Sequence, residues 1–411
     1  MFCSCTSNVS STYRTDNSAA VKLHSSHIYI MCVSAESGIP AQVVAAIDIN
    51  TTANQVYRHN FPDTPLWNKT IEGISLDDFN KLSFDMILMS PPCQPFTRIG
   101  RQGDVQDPRT KSFLYILDLL PRSRLSRLPR FFLLENVKGF ETSSARDLMV
   151  QTLKDCGYTF EEIMVSPTSV GIPNSRLRYY LLAKISPENV GIQTSSEVLG
   201  AFSRHGESDS SEQPRVMAPT NPGTCQPEEE IQRGRILYKL ETTTDAQRKE
   251  NQNNDLSVRQ IQDYLEPQSE INMELYLLPP KTLLRYALLM DIVQPTCRRS
   301  TCFTKGYGWY VEGTGSVLQC SEETELKAVA LSAVQMKSVF RGLDQHSEED
   351  KLQRLLKLKL RYFTPREVAN LMGFPQSFSF PAQVPTKQQY KVLGNSLNVV
   401  VVAKLLRQLV S

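Results

Sequence analysis

Cys93 lies in Pro91-Pro92-Cys93-Gln94-Pro95-Phe96, directly after the apolar run Phe84-Asp85-Met86-Ile87-Leu88-Met89. That run has the length and composition of a buried strand, and the prolines restrict φ on both sides of the cysteine. In an open α/β sheet, ligands bind in the crevice beyond the carboxyl ends of the strands, so a thiol held there can be a nucleophile. A lone cysteine more often serves as a small hydrophobe. Two further groups change that balance. Phe131-Phe132-Leu133-Leu134 is a second short apolar run that delivers Glu135-Asn136-Val137 at its end, and Arg176 and Arg178 are spaced to share one face of a strand. Taken singly, Glu135 reads as a helix cap or structural ion pair, and the arginines as a salt-bridged surface strand. Together, the thiol, carboxyl and guanidiniums can attack a carbon, share a proton and hold an oxygen or phosphate.

The elements that must position these groups follow from the pattern of apolar runs. From Gly38 to about Ser186 such runs alternate with amphipathic stretches, which predicts an α/β domain with a mostly parallel sheet. Ala41-Gln42-Val43-Val44-Ala45-Ala46-Ile47 reads as one buried strand, and His27-Ile28-Tyr29-Ile30-Met31-Cys32-Val33 as the strand before it. The stretch from Ser34 to Pro40 is too short for a parallel crossover, which needs a dozen or more residues. Residues 187–255 are polar and charged and predict a disordered insert, with Ile236 to Leu240 able to pair as a strand. Helical periodicity returns around Ile261, Tyr264 and Leu265 and around Tyr286, Leu289 and Ile292, and 318–360 reads as largely helical. Gly306-Tyr307-Gly308-Trp309-Tyr310 is a Gly/aromatic segment, more often a tight turn than a base-stacking platform.

Five segments in order, SPPCQPFTRIGR at 90–101, ENVKGF at 135–140, NSRLRYY at 174–180, RYFTPREVANLMGFP at 361–375 and YKVLGNSLNVVVVAKLL at 390–406, make the chain resemble the cytosine-5 methyltransferases of nucleic acids. CFTKGYGWYVEGTGS at 302–316 resembles the signature of the DNA methyltransferase 2 branch, whose members act on aspartate transfer RNA. The resemblance runs from about Gly38 to Ser411. It implies a Rossmann-like S-adenosylmethionine-dependent fold with a smaller target recognition domain. The corresponding division is 1–37 as a divergent segment replacing the first strand and Gly-rich loop, 38–186 as the first part of the catalytic domain, 187–255 as the insert, 256–387 as the recognition domain and helical segment, and 388–411 as a closing segment. In that closing segment Val399 onward is expected to pack beside the first strand. The first 37 residues read as a substituted or misassigned start joined to an otherwise family-like enzyme.

The resemblance also implies roles. Cys93 would add as thiolate to carbon 6 of cytosine, turning a poor carbon-5 nucleophile into an enamine. Glu135, with a raised pKa, would bind the amino edge and share a proton at N3, and Arg176 or Arg178 would hold the base oxygen and a phosphate. Asp48 matches the acid that binds ribose hydroxyls, Ile49 would face adenine, and Ile71 with Glu72, Ser90 and Asn395 complete the cofactor set. Arg98, Arg101, Cys302, Phe303 and Thr304 are the substrate-side candidates. Family members cradle the methionine part of the cofactor on a Gly-rich turn, and no Gly precedes Gly38 here. A non-catalytic RNA-binding variant is therefore a second reading, and DNA is the alternative substrate.

Composition bounds the partners. A net charge of +2 gives no global attraction for nucleic acid, so any basic footprint is local: Arg98, Arg101, Arg109 and Lys111, or the cluster Arg122, Arg124, Arg127 and Arg130. Runs of arginine are usually solvated faces. The nine cysteines are scattered and show no paired knuckles, which argues against disulfides and a structural metal. No apolar run approaches a membrane span, and the Val399–Val402 run reads as a core helix or strand. A monomer in a reducing cytoplasmic compartment, with the nucleus as the alternative, is the default expectation.

Overall fold

The computed structural model describes residues 18–23, 36–97, 102–123, 128–185, 245–310, 313–321 and 347–411. The strands are β1 (Ser18–Leu23), β2 (Ala41–Ile47), β3 (Leu66–Trp67), β4 (Met86–Met89), β5 (Phe131–Val137), β6 (Tyr158–Val165), β7 (Arg178–Ile185), β8 (Asp291–Val293), β9 (Ser316–Gln319) and β10 (Leu360–Arg361). The helices are α1 (Thr51–Asn60), α2 (Leu76–Lys81), α3 (Lys111–Arg122), α4 (Ser144–Asp155), α5 (Asp245–Asn254), α6 (Pro280–Tyr286), α7 (Glu348–Lys357), α8 (Pro365–Leu371), α9 (Thr386–Gly394) and α10 (Val399–Val410).

Seven strands form one sheet in the order β3-β2-β1-β4-β5-β7-β6. The first five pair in parallel, while β7 runs antiparallel between β5 and β6. The expected mostly parallel α/β sheet is thus present. β4 carries four buried residues in a row because helices cover both faces of a parallel sheet. Its residues alternate between the two cores: Met86 and Leu88 face one cluster, Ile87 and Met89 the other. β5 splits the same way, with Leu133 on the first side and Phe132 and Leu134 on the second. The second side is closed by α3 through Phe113, Ile116 and Leu120 and by α4 through Met149 and Leu153. The first side is closed by the carboxyl-terminal helices. α10 is capped by Asn398, whose side chain accepts from the Val401 amide at 3.1 Å, and it packs on β5 and β7.

Several expectations need correction here. The strand before β2 is Ser18–Leu23, seated between β2 and β4, and His27–Val33 lies outside the described residues. Residues 24–40 separate the two strands, which is long enough for a parallel crossover, so a segment of the first 37 residues occupies the first-strand place. Among the described contacts, α10 packs on β5 and β7. Most of the insert lies outside the described residues, including Ile236 to Leu240. Its last part forms α5, held by polar contacts that an apolar count does not register. Lys249 pairs with Asp291 at 2.7 Å, and Gln252 donates to Ser175 at 3.2 Å. The 318–360 stretch contributes β10 and the end of β9 besides α7, and Ile292 lies in β8. β8, β9 and β10 form a three-stranded sheet of the smaller domain, packed with Leu283, Leu355 and Leu358. Thr386–Val410 is long and apolar enough on average to match a membrane span, contrary to the sequence reading. It divides into α9 and α10, and 67% of its most apolar window is buried in the protein.

Candidate active site

Three adjacent strands converge on one cavity. The loop leaving β4 folds at once into a 3-10 turn, Gln94–Phe96, in which the Phe96 amide donates to the Cys93 carbonyl at 3.0 Å. Gly139, just past β5, packs against this turn; its φ is +109°, and a Cβ there would meet the Phe96 carbonyl oxygen at 2.7 Å. β5 carries Glu135 two residues before its end, and β7 begins with Arg178 opposite Val137. The resulting cavity of about 190 Å³ is lined by Cys93, Glu135, Arg176, Arg178, Asp48 and Asn395, among others.

Glu135 is 6% exposed, and one of its oxygens lies 3.3 Å from Nε of Arg178. Burial raises the Glu135 pKa, against the pull of Arg178 and Arg176. Burial likewise pushes the Cys93 thiol up, and the Glu135 charge adds to that, while Arg178 and Arg176 oppose it. A proton on Glu135 therefore favours a thiolate at Cys93.

The two arginines do different work. Nη1 of Arg176 donates to the Phe303 carbonyl at 2.9 Å, and Nη2 to the carbonyls of Gly394 at 3.0 Å and Ser396 at 2.7 Å. It is a buried strut joining three segments, so of the pair Arg178 is the one left to hold a base oxygen. Cys302 receives Nη1 of Arg176 at 3.1 Å and Nη2 of Arg178 at 3.8 Å. Burial works against its thiolate, yet the two arginines outweigh burial and hold its pKa below the ordinary thiol value. Cys302 is thus a support for both guanidiniums, a role that its spacing in the chain did not reveal.

Asp48, at the end of β2, accepts from the Asn50 amide at 2.8 Å and lines both the main cavity and a small cleft formed with Ile49 and Ile71. Ile49 is 57% exposed, an apolar face beside a buried carboxylate. Ser90 is buried and Asn395 exposed, and both line the main cavity. A carboxylate for vicinal hydroxyls next to an open apolar slot is the donor set an adenosine needs, so these residues fit the nucleoside half of S-adenosylmethionine. Glu72 faces solvent and accepts from Ser112 at 2.9 Å, outside the lining of either cleft. Asn50, Gln94 and Leu397 also line the main cavity, and nothing in their types singled them out beforehand.

On the substrate side, Arg98 and Arg101 lie outside the described residues, as do Arg124 and Arg127. Phe303 is 2% exposed and stacks edge-on with Tyr307 and Phe363. It is a core residue, and its side chain is not available to a substrate. Thr304 presents its backbone to α9: a Cβ on Gly394 would lie 2.2 Å from the Thr304 carbonyl carbon. Arg109 is paired with Asp107 at 2.6 Å and Arg122 with Asp118 at 2.5 Å, which weakens both as phosphate contacts. The guanidinium of Arg130 sits over the Phe131 ring at 5.1 Å.

Comparison with known proteins places this geometry. The family described as C-5 cytosine-specific DNA methylase matches residues 33–411. The chain is 55% identical over 380 residues to the human tRNA (cytosine(38)-C(5))-methyltransferase, covering 90% of this chain and 94% of that protein. The crystal structure of a Spodoptera frugiperda DNMT2 mutant superposes with a TM-score of 0.71 at 34% identity, covering 96% of this chain and all of that one. The S. pombe Dnmt2 methyltransferase gives 0.67 at 30% identity, covering 96% and 98%.

Proposed function

Since the chain belongs to the C-5 cytosine-specific DNA methylase family, whose methyl donor is S-adenosylmethionine, we propose that it methylates carbon 5 of a cytosine in transfer RNA through a covalent bond to Cys93. The observation that carries this is the meeting of Cys93, Glu135 and Arg178 in one cavity at the carboxyl ends of β4 and β5 and the start of β7. Likeness to a tRNA (cytosine(38)-C(5))-methyltransferase supports RNA over DNA and cytosine 38 as the target. The CFT segment supports aspartate transfer RNA.

Cys93 Sγ adds to carbon 6 of the extruded base, and the displaced electron pair moves toward N3 and the base oxygen. Glu135, whose pKa burial raises against the pull of Arg178 and Arg176, shares a proton at N3 and receives the amino edge. Arg178 holds the base oxygen while remaining charged at any working pH. S-adenosylmethionine, held by Asp48, Ile49, Ile71 and Ser90, supplies an electrophilic methyl group when bound. Loss of the carbon-5 proton then expels Cys93 and restores the aromatic ring.

A second reading, an RNA-binding variant with a poor cofactor site, is favoured by the absence of Gly before Gly38. Incubating the chain and S-adenosylmethionine with aspartate tRNA and mapping 5-methylcytosine decides between them. Modification at cytosine 38 supports the proposal. RNA binding without modification at saturating cofactor supports the variant.

A further inference from the structure

The recognition loop is built to hold two aromatic rings in solvent. Its turn is fixed by backbone bonds from Tyr307 to Thr304 at 3.0 Å and from Tyr310 to Gly306 at 2.9 Å. Buried Tyr307 anchors it, donating to the Ser316 carbonyl at 2.7 Å and accepting from the Phe363 amide at 2.9 Å. Trp309 and Tyr310 emerge 60% and 64% exposed on this rigid base, although tryptophan is mostly buried in folded proteins. They border a groove of about 600 Å³ together with Tyr286, Tyr362 and Pro279.

Charge says what covers these rings. The Lys387 ammonium stands 3.0 Å from the centroid of the Trp309 ring. Lys387 lies in the first turn of α9, where the helix dipole disfavours a cation, so its placement does not serve the helix. Lys391 follows one turn later on the same face, and both are exposed. α9 carries no acidic residue, and it ends at Gly394, which with Asn395 lines the catalytic cavity. Lys305, also exposed, belongs to the loop whose backbone Gly394 abuts. At 1.5 Å per residue the helix spans roughly 10 Å from Lys387 to Gly394, a distance of a few nucleotides. Stacking rings with a line of cations between them and the reaction site is the combination that binds single-stranded nucleic acid.

We propose that Trp309 stacks a base of the single-stranded RNA loop flanking the target cytosine, with Lys387 and Lys391 following the intervening phosphates. This rests on the tRNA reading above and adds where the neighbouring nucleotides lie. Trp67 and Trp309 are the two tryptophans of the chain, so Trp67→Phe makes the full-length protein a single-tryptophan reporter. Titrating it with aspartate tRNA, while following both tRNA anisotropy and tryptophan emission, should quench Trp309 in step with binding. Trp309→Ala should raise the tRNA Kd roughly 5- to 150-fold, the range of one lost base–aromatic stack, with kcat at saturating RNA little changed. Trp309→Phe should recover part of the affinity. Bound tRNA with unmoved Trp309 emission, or an unchanged Kd in Trp309→Ala, overturns the stacking assignment and leaves the methyl-transfer reading standing. Binding of duplex DNA but no binding of tRNA by the parent chain overturns both.

Discussion

Glu135 and Cys93 make opposite demands on one proton. Burial raises the Cys93 pKa and the Glu135 charge adds to it, so neutralising the carboxylate favours the thiolate. Glu135→Gln should therefore abolish methyl transfer yet speed alkylation of Cys93 by iodoacetamide near pH 8, about tenfold for each pKa unit the charge contributes. Peptide mapping of the alkylated cysteine checks this, and slower alkylation would contradict the coupling. The arginines separate in the same manner. Arg178→Ala should lose activity with the melting temperature nearly kept. Arg176→Ala leaves the buried carbonyls of Phe303 and Ser396 without their donor, at about 1–3 kcal/mol each, besides the half-buried carbonyl of Gly394, and should lower the melting temperature by several degrees. Calorimetry of both variants tests the division. Cys93, Glu135 and Arg178 were legible in the sequence because residue type and strand-end position suffice to find them. The strut role of Arg176 and the support role of Cys302 were not, since their contacts join residues more than a hundred positions apart.

Among the elements, β4 and β5 declared themselves through apolar runs that end near the functional groups, whereas β7 starts only at Arg178, so Arg176 lies in the loop before it and does not share a strand face with Arg178. β1 did not declare itself: Ser18–Leu23 is short and rich in alanine, while the more apolar His27–Val33 drew the assignment. α5 and the short strands β8 and β10 were hidden because polar contacts and pairing across the domain define them, rather than periodicity. Although β1 fills an interior place in the sheet, between β2 and β4, the chain has no Gly after it until Gly38. A Gly-rich turn grafted after β1 should tighten S-adenosylmethionine binding at least about tenfold, the worth of a single charge-assisted hydrogen bond of 1.5–3 kcal/mol at its lower end. Calorimetric titration of both chains gives the answer, and equal affinities would show that another segment supplies the contacts. In the smaller domain, burial opposes the Asp291 carboxylate, but Arg299, Lys249 and Ser316 hold its pKa below the ordinary value. Such a group stabilises the fold above its unfolded pKa, and that stability is lost as pH falls through the folded one. Asp291→Ala should cost about 3–5 kcal/mol at pH 7, because Arg299 is left buried without its partner. The cost should shrink below pH 4, as denaturant melts at both pH values would reveal.

At the scale of the molecule, a sheet covered on both faces holds three chemical groups in one cavity, and the smaller domain sets a basic, aromatic rim beside it. The sheet and its two cores could be read in advance because the residues of β4 and β5 alternate between them. The rim could not, since it exists only where α9 meets the recognition loop. With a net charge of +2 there is no global field to draw nucleic acid, so the proposed role of this rim predicts discrimination between nucleic acids. Aspartate tRNA should outcompete duplex DNA of equal charge near physiological salt, where the sequence-independent phosphate contribution is weakened. Covalent attack by Cys93 can be trapped with tRNA carrying 5-fluorocytosine at position 38. Fluorine blocks the final elimination, so in the presence of S-adenosylmethionine the chain should accumulate a stable protein–RNA adduct. Mass spectrometry should place it on Cys93, present in Cys302→Ala and absent from Cys93→Ala. An adduct that persists in Cys93→Ala, or methyl transfer by that variant, would contradict the account.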